Sequence, residues 1–96
     1  MPVNDTEAPW DAVAYVRASS RRRSVFESLA ESPKSATEIA EELGIGRQTV
    51  SQHIGQLRSG NEMGEDHDLV VCLTEERQNY RIYALTTKGE TVSEMV

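Results

Sequence analysis

Apolar residues recur along this chain at helical spacing first and at alternating spacing later, and the change of period marks out its elements. Residues 1–9 show no period and contain Pro2 and Pro9, which predicts a flexible leader ahead of one domain at 10–96. Trp10, Val13 and Val16 then fall at i, i+3, i+6, with Ala12 and Ala14 between them: a short amphipathic helix. Ser19 and Ser20 interrupt it. From Arg21 to Glu31 a second helix carries Val25, Phe26, Leu29 and Ala30 as its apolar stripe, and Pro33 stops it.

Ser35-Ala36-Thr37-Glu38 has the spacing of a capping box, in which two side chains reciprocally satisfy amide groups at a helix start. The helix it opens has Ile39, Ala40 and Leu43 on one side and Glu38, Glu41 and Glu42 on the other. Gly44 is placed to end that helix in a left-handed cap. Gly44-Ile45-Gly46 therefore reads as a tight turn around one buried apolar residue. Gly46 is an acceptable N-cap for the next helix, about 47–59, which buries Val50, Ile54 and Leu57 at i, i+4, i+7 and is closed by Gly60.

Residues 60–68 are polar and acidic and read as a loop. Leu69–Thr74 and Tyr80–Thr86 are rich in strand-forming residues, and the polar stretch Glu75–Asn79 joins them into a hairpin. Thr87-Lys88-Gly89-Glu90 has capping-box spacing again and opens a last short helix with Val92, Met95 and Val96. The predicted fold class is mainly α with a small β-hairpin, in the order α-α-α-turn-α-β-β-α.

Two helices joined by a short glycine-containing turn, at about 35–59, have the layout of a DNA-reading helix-turn-helix; the hairpin at about 69–86 would be its wing. On a helical wheel Ile54 and Leu57 fall within about 40° of Val50, so that side faces inward. The opposite side carries Gln48, Gln52, Gly55 and Ser59, flanked by Thr49, Ser51 and Gln56. These side chains hydrogen-bond base edges well; glutamine, for one, can pair with adenine in a bidentate way. A solvated helix face is ordinarily polar too, but it usually carries Glu and Lys, and this one has neither. Arg47 and Thr49, at the helix start, suit phosphate contacts helped by the helix dipole. At the hairpin tip Arg77, Gln78, Asn79 and Arg81 would reach an adjacent groove or the backbone. His53, beside the buried edge, reads as a packed structural histidine. Arg21–Arg23 fit phosphate contact or carboxylate pairing equally well.

The net charge of −6 argues at first against a nucleic-acid partner. Its distribution changes the picture. Residues 12–26, 43–61 and 77–89 contain no Asp or Glu, yet they hold nine of the ten basic residues. Acids are thus withheld from three defined segments, the second of which holds the reading helix. Excess carboxylate with only two lysines, Lys34 and Lys88, fits a salt-loaded cytoplasm and fits an ordinary acidic domain as well. A chain of 96 residues accommodates one small core and little room for an enzyme cleft. Its single cysteine, Cys72, excludes an internal disulfide and a thiolate zinc cluster. No apolar run approaches the ~18 residues of a membrane span, and the acidic start is no secretory signal, which together favour a cytoplasmic protein.

The string TEIAEELGIGRQTVSQHIGQL (Thr37–Leu57) resembles the winged-helix regulators of the ArsR type, whose reading helices carry the pattern IA..LG.s..TVS.HL..L. Three further stretches resemble the small archaeal, especially haloarchaeal, winged helix-turn-helix regulators: WDAVAYVRASSRRRSVFESLAE (Trp10–Glu31), LVVCLTEE (Leu69–Glu76) and YRIYALTTKGE (Tyr80–Glu90). The resemblance implies base or phosphate contacts from Arg47, Gln48, Thr49, Ser51 and Gln52, and wing contacts from Arg77 and Arg81. It also implies a homodimer joined through the first and last helices, here by Trp10, Val13, Tyr15, Val92 and Met95. The chain departs from the pattern at 58–68, where a longer acidic loop replaces the usual short link, and at Glu75 and Glu76, which would repel phosphate at the base of the wing. The paired thiolates of metal-sensing members are absent, so no metal response carries over. Glu65-Asp66-His67-Asp68, being one contiguous loop, reads as solvated rather than as a cation site.

Two functions compete on these grounds. The first is a dimeric, sequence-specific transcriptional regulator bound to double-stranded DNA. The second is a winged-helix protein-interaction module without DNA binding, motivated by the overall acidity. An enzyme ranks far behind, because the chain offers no nucleophile–base arrangement, phosphate-cradling loop or metal-ligand spacing. No cofactor is expected, and the sequence specifies no small-molecule effector.

Overall fold

The computed structural model describes residues 2–58 and 68–96, with side chains from Trp10 onward. Among these residues five helices surround one core and a small antiparallel sheet flanks it, the arrangement of a winged helix-turn-helix. The helices are α1 (Pro2–Arg17), α2 (Ser20–Glu31), α3 (Ala36–Leu43), α4 (Arg47–Leu57) and α5 (Thr87–Met95). Three strands, β1 (Lys34–Ser35), β2 (Val70–Cys72) and β3 (Ile82–Leu85), pair in the order β1-β3-β2. No helix among the described residues is long and apolar enough to cross a membrane.

Local chemistry sets most of the boundaries. Ser19 caps α2 by accepting from the Arg22 amide at 3.2 Å, so the serine pair is a true break between two helices. The capping box of α3 is complete: Glu38 N donates to Ser35 Oγ at 3.2 Å, and Ser35 N donates to Glu38 Oε1 at 2.9 Å. Gly44 ends α3 at φ 69°, with its amide on the Ala40 carbonyl at 2.8 Å.

The core is built from the stripes that face one another. Val16 of α1, Val25 and Phe26 of α2, Ile39 of α3, Val50 and Leu57 of α4, and Val92 of α5 are all fully covered. Burying each such side chain contributes roughly 1.5–3 kcal/mol of transfer free energy. Leu69 joins this core and ties two elements together, since its amide donates to the Leu57 carbonyl and its carbonyl accepts from Thr86 N. That link fixes where the hairpin leaves the reading helix.

Several expectations need correction. Helix α1 begins at Pro2 rather than at Trp10; a proline is tolerated in a first helical turn because the amide it lacks has no partner there. Strand β1 was not anticipated, and it exists through its pairing of Lys34 with Tyr83 and Ser35 with Ile82. The last helix is capped by Thr86, one residue before the expected Thr87, with Gly89 N donating to Thr86 Oγ1 at 3.0 Å. In α2 the buried position next to Leu29 belongs to Ser28, and Ala30 lies outside. The reading helix ends at Leu57, and the expected loop at 60–68 falls, but for Asp68, outside the described residues, as do Ser59, Gly60 and most of the 65–68 acidic cluster.

Candidate nucleic-acid interface

Helix α4 presents the surface that the sequence singles out. Its inward residues Val50, Ile54 and Leu57 lock its rotation against the core. Arg47, Gln48, Ser51, Gln52 and Gly55 are thereby left exposed, while Thr49 is half-buried. Gly46 starts the helix in an extended conformation and gives it no side-chain cap. The first-turn amides of α4 thus have no cap from Gly46 and lie at the positive end of the helix dipole.

The two flanks of α4 are occupied differently. On the flank toward α2, Gln56 Oε1 accepts from Arg22 Nη1 at 3.2 Å and lies 3.1 Å from His53 Nδ1. Gln56 is thus half-buried and engaged by Arg22 and His53, unlike the exposed Gln48 and Gln52. His53 is half-buried in that contact, in line with a packed histidine. On the opposite flank, Arg58 Nη2 pairs with Glu75 Oε2 at 2.9 Å and its guanidinium lies 5.8 Å from the Tyr83 ring centre. An exposed pair of this kind adds little stability. It does place a positive charge against Glu75, one of the two glutamates expected to repel phosphate.

The arginines of α2 separate into distinct roles. Arg22 donates from Nε and Nη2 to the Tyr15 carbonyl at 3.0 and 2.7 Å, and its guanidinium carbon lies 3.9 Å from the Tyr15 ring centre. Arg23 pairs with Glu27 at 3.0 Å and also reaches the Val96 carbonyl. Arg21 stands exposed beside Ser20, Ser24, Leu43 and Ile45. Lys34, the basic residue outside the acid-free segments, donates to Ser28 O at 2.6 Å and pairs with Glu31 and Glu42. It serves the packing of α2 on α3.

Between the start of α4 and the hairpin lies an open groove of about 560 Å3, whose lining includes Thr37, Arg47, Ser51, Gln78, Asn79, Tyr80 and Arg81. The hairpin tip is organised by Thr74, whose carbonyl accepts from Arg77 N and whose hydroxyl accepts from Ile82 N. Arg81 Nε donates to the Arg77 carbonyl at 2.6 Å, which steadies Arg81 at the groove while the Arg77 side chain stays exposed. Tyr80 was expected to begin the second strand. Instead it adopts φ 54°, leaves the sheet and stands 70% exposed over the groove. For a residue with a Cβ, that left-handed conformation costs about 1 kcal/mol or more. Sequence reasoning passed over Tyr80 because its strand propensity hid the turn.

Two of the residues expected at a dimer interface are spent within the protomer. Val13 and Val92 are buried in the chain's own core where α1 packs on α5, so neither offers surface to a second copy. Trp10 is 52% exposed, Tyr15 lies partly covered by Arg22, and Met95 packs partly against the core.

Residues 18–61 match the family model described as a helix-turn-helix domain. The match spans α2, α3 and α4 and stops before the hairpin. No curated protein matches the chain.

Proposed function

We propose that this protein is a sequence-specific, DNA-binding transcriptional regulator of the archaeal ArsR-like kind. It acts as a homodimer in the cytoplasm and does no chemistry on its ligand. The observation that carries this reading is the exposed face of α4, where Arg47, Gln48, Ser51, Gln52 and Gly55 lie together without a carboxylate in a chain of net charge −6. Such a helix fits the major groove, where amide side chains discriminate bases and the arginine at its start neutralises a phosphate. Half-buried Thr49 would stand at the edge of that contact. The hairpin, with Arg77, Gln78 and Arg81, would lie on the adjacent groove or backbone. The dimer would form through the outer sides of α1 and α5, with Trp10, Tyr15 and Met95 contributing what each leaves uncovered.

The match of residues 18–61 to a helix-turn-helix domain supports DNA as the ligand. The net negative charge favours the competing reading, a protein-interaction module. A gel shift with genomic fragments at the organism's own salt concentration separates the two. Retardation of a small subset of fragments is expected, and failure of the dimer to bind any fragment would leave only the interaction module.

A further inference from the structure

We propose that Tyr80 is the hairpin's anchor on the DNA backbone. With Arg47 and Arg81 it closes a groove that seats one sugar–phosphate segment beside the reading helix. The inference rests on the DNA-binding reading of α4 and adds to it a residue, Tyr80, which that reading does not contain.

Three observations meet at this residue. Tyr80 is a large aromatic left 70% exposed, so burial does not explain it. Its backbone sits at φ 54°, a conformation in which glycine or asparagine is at ease and tyrosine is strained. The turn itself does not need a tyrosine there, and Asn79, a residue type better suited to left-handed geometry, occupies the preceding position. Strain kept at an exposed position is characteristic of sites where a side chain must be aimed.

The third observation is what Tyr80 is aimed at. It shares the groove with two cations, Arg47 from the start of α4 and Arg81 from the hairpin. Thr37, Ser51 and Asn79 add hydroxyl and amide groups between them. A groove lined by two guanidinium groups and several neutral donors suits a phosphodiester: the charges neutralise it and the hydroxyls complete its hydrogen bonds. A tyrosine over such a groove supplies an apolar ring for the sugar and a hydroxyl that donates to a phosphate oxygen. Among the described residues no carboxylate lines this groove. A backbone contact of this type raises affinity for every sequence and positions the reading helix without reading bases itself.

The test compares wild type, Tyr80→Gly and Tyr80→Phe, each by thermal melting and by fluorescence anisotropy on a labelled mixed-sequence duplex at low salt. Tyr80→Gly is expected to melt at or above the wild-type temperature, because glycine relieves the left-handed strain, and yet to bind about tenfold more weakly. Tyr80→Phe should fall between, having lost only the hydroxyl. A Tyr80→Gly variant that melts normally and binds as tightly as wild type overturns the assignment while the DNA-binding reading stands. Absence of binding by wild type itself overturns both.

Discussion

Arg22 and Gln56, on α2 and α4, are joined by a hydrogen bond of 3.2 Å from Nη1 to Oε1, and the same guanidinium grips the Tyr15 carbonyl with Nε and Nη2. One side chain therefore spans three helices and holds the reading helix at a set rotation relative to α1. Hydrogen bonds from a charged donor contribute about 1.5–3 kcal/mol when half-buried. Arg22→Ala is expected to lower unfolding stability by about 2 kcal/mol, measured by urea denaturation. Arg22→Lys should recover only part of this, because an ammonium cannot reproduce the planar fork. Equal stability of all three proteins would show that the bridge contributes nothing.

Gly89 meets the Leu69 carbonyl so closely that an added Cβ would clash with its oxygen, and backbone cannot yield as a side-chain end would. The close approach lets Thr86 cap α5 while its amide stays bonded to Leu69. Gly89→Ala should therefore destabilise the protein by about 1–3 kcal/mol, although alanine is the better helix former in isolation. Thermal melting reads this directly. A higher melting temperature for the variant would contradict the packing.

What was legible in the sequence was what is decided locally. The box of Ser35 and Glu38, the left-handed cap at Gly44 and the stripe Val50–Ile54–Leu57 each depend on residues within two turns of one another, and each sits where the pattern put it. Long-range causes were not legible. Two-residue β1 is a strand through its partners Tyr83 and Ile82, and no local pattern of Lys34-Ser35 announces it. Val13 and Val92 looked like interface residues because each lies on a terminal helix, yet α1 and α5 bury them against the core. Gln56 fits a base-reading residue by its wheel angle, and that angle says nothing of its bond to Arg22, more than thirty positions earlier.

Gln52 and Arg77 divide the proposed binding between reading and attraction. Gln52 is exposed on α4, so Gln52→Ala should relax base choice at one operator position and cost on the order of 1–3 kcal/mol on the preferred site. Arg77 is exposed at the hairpin tip, so Arg77→Ala should weaken all duplexes alike and lower the slope of log affinity against log salt by about one unit. Titrations on a selected operator and on a scrambled duplex, each at several salt concentrations, measure both quantities. Identical effects of the two substitutions on both duplexes would refute the division.

Gly55 offers the sharpest separation of folding from function. It lies exposed in the interior of α4, and an added Cβ would meet nothing within 4 Å. Neither packing nor backbone conformation calls for glycine here, while its presence in a helix costs about 1 kcal/mol relative to alanine. Gly55→Ala should accordingly raise unfolding stability by up to about 1 kcal/mol. If α4 enters a groove by this face, the same methyl group holds the helix backbone off the base edges, and affinity should fall as stability rises. Melting and anisotropy on one preparation give both numbers. A variant that melts higher and binds its operator unchanged would place the closest approach to DNA elsewhere on the helix, toward Gln48 and Arg47.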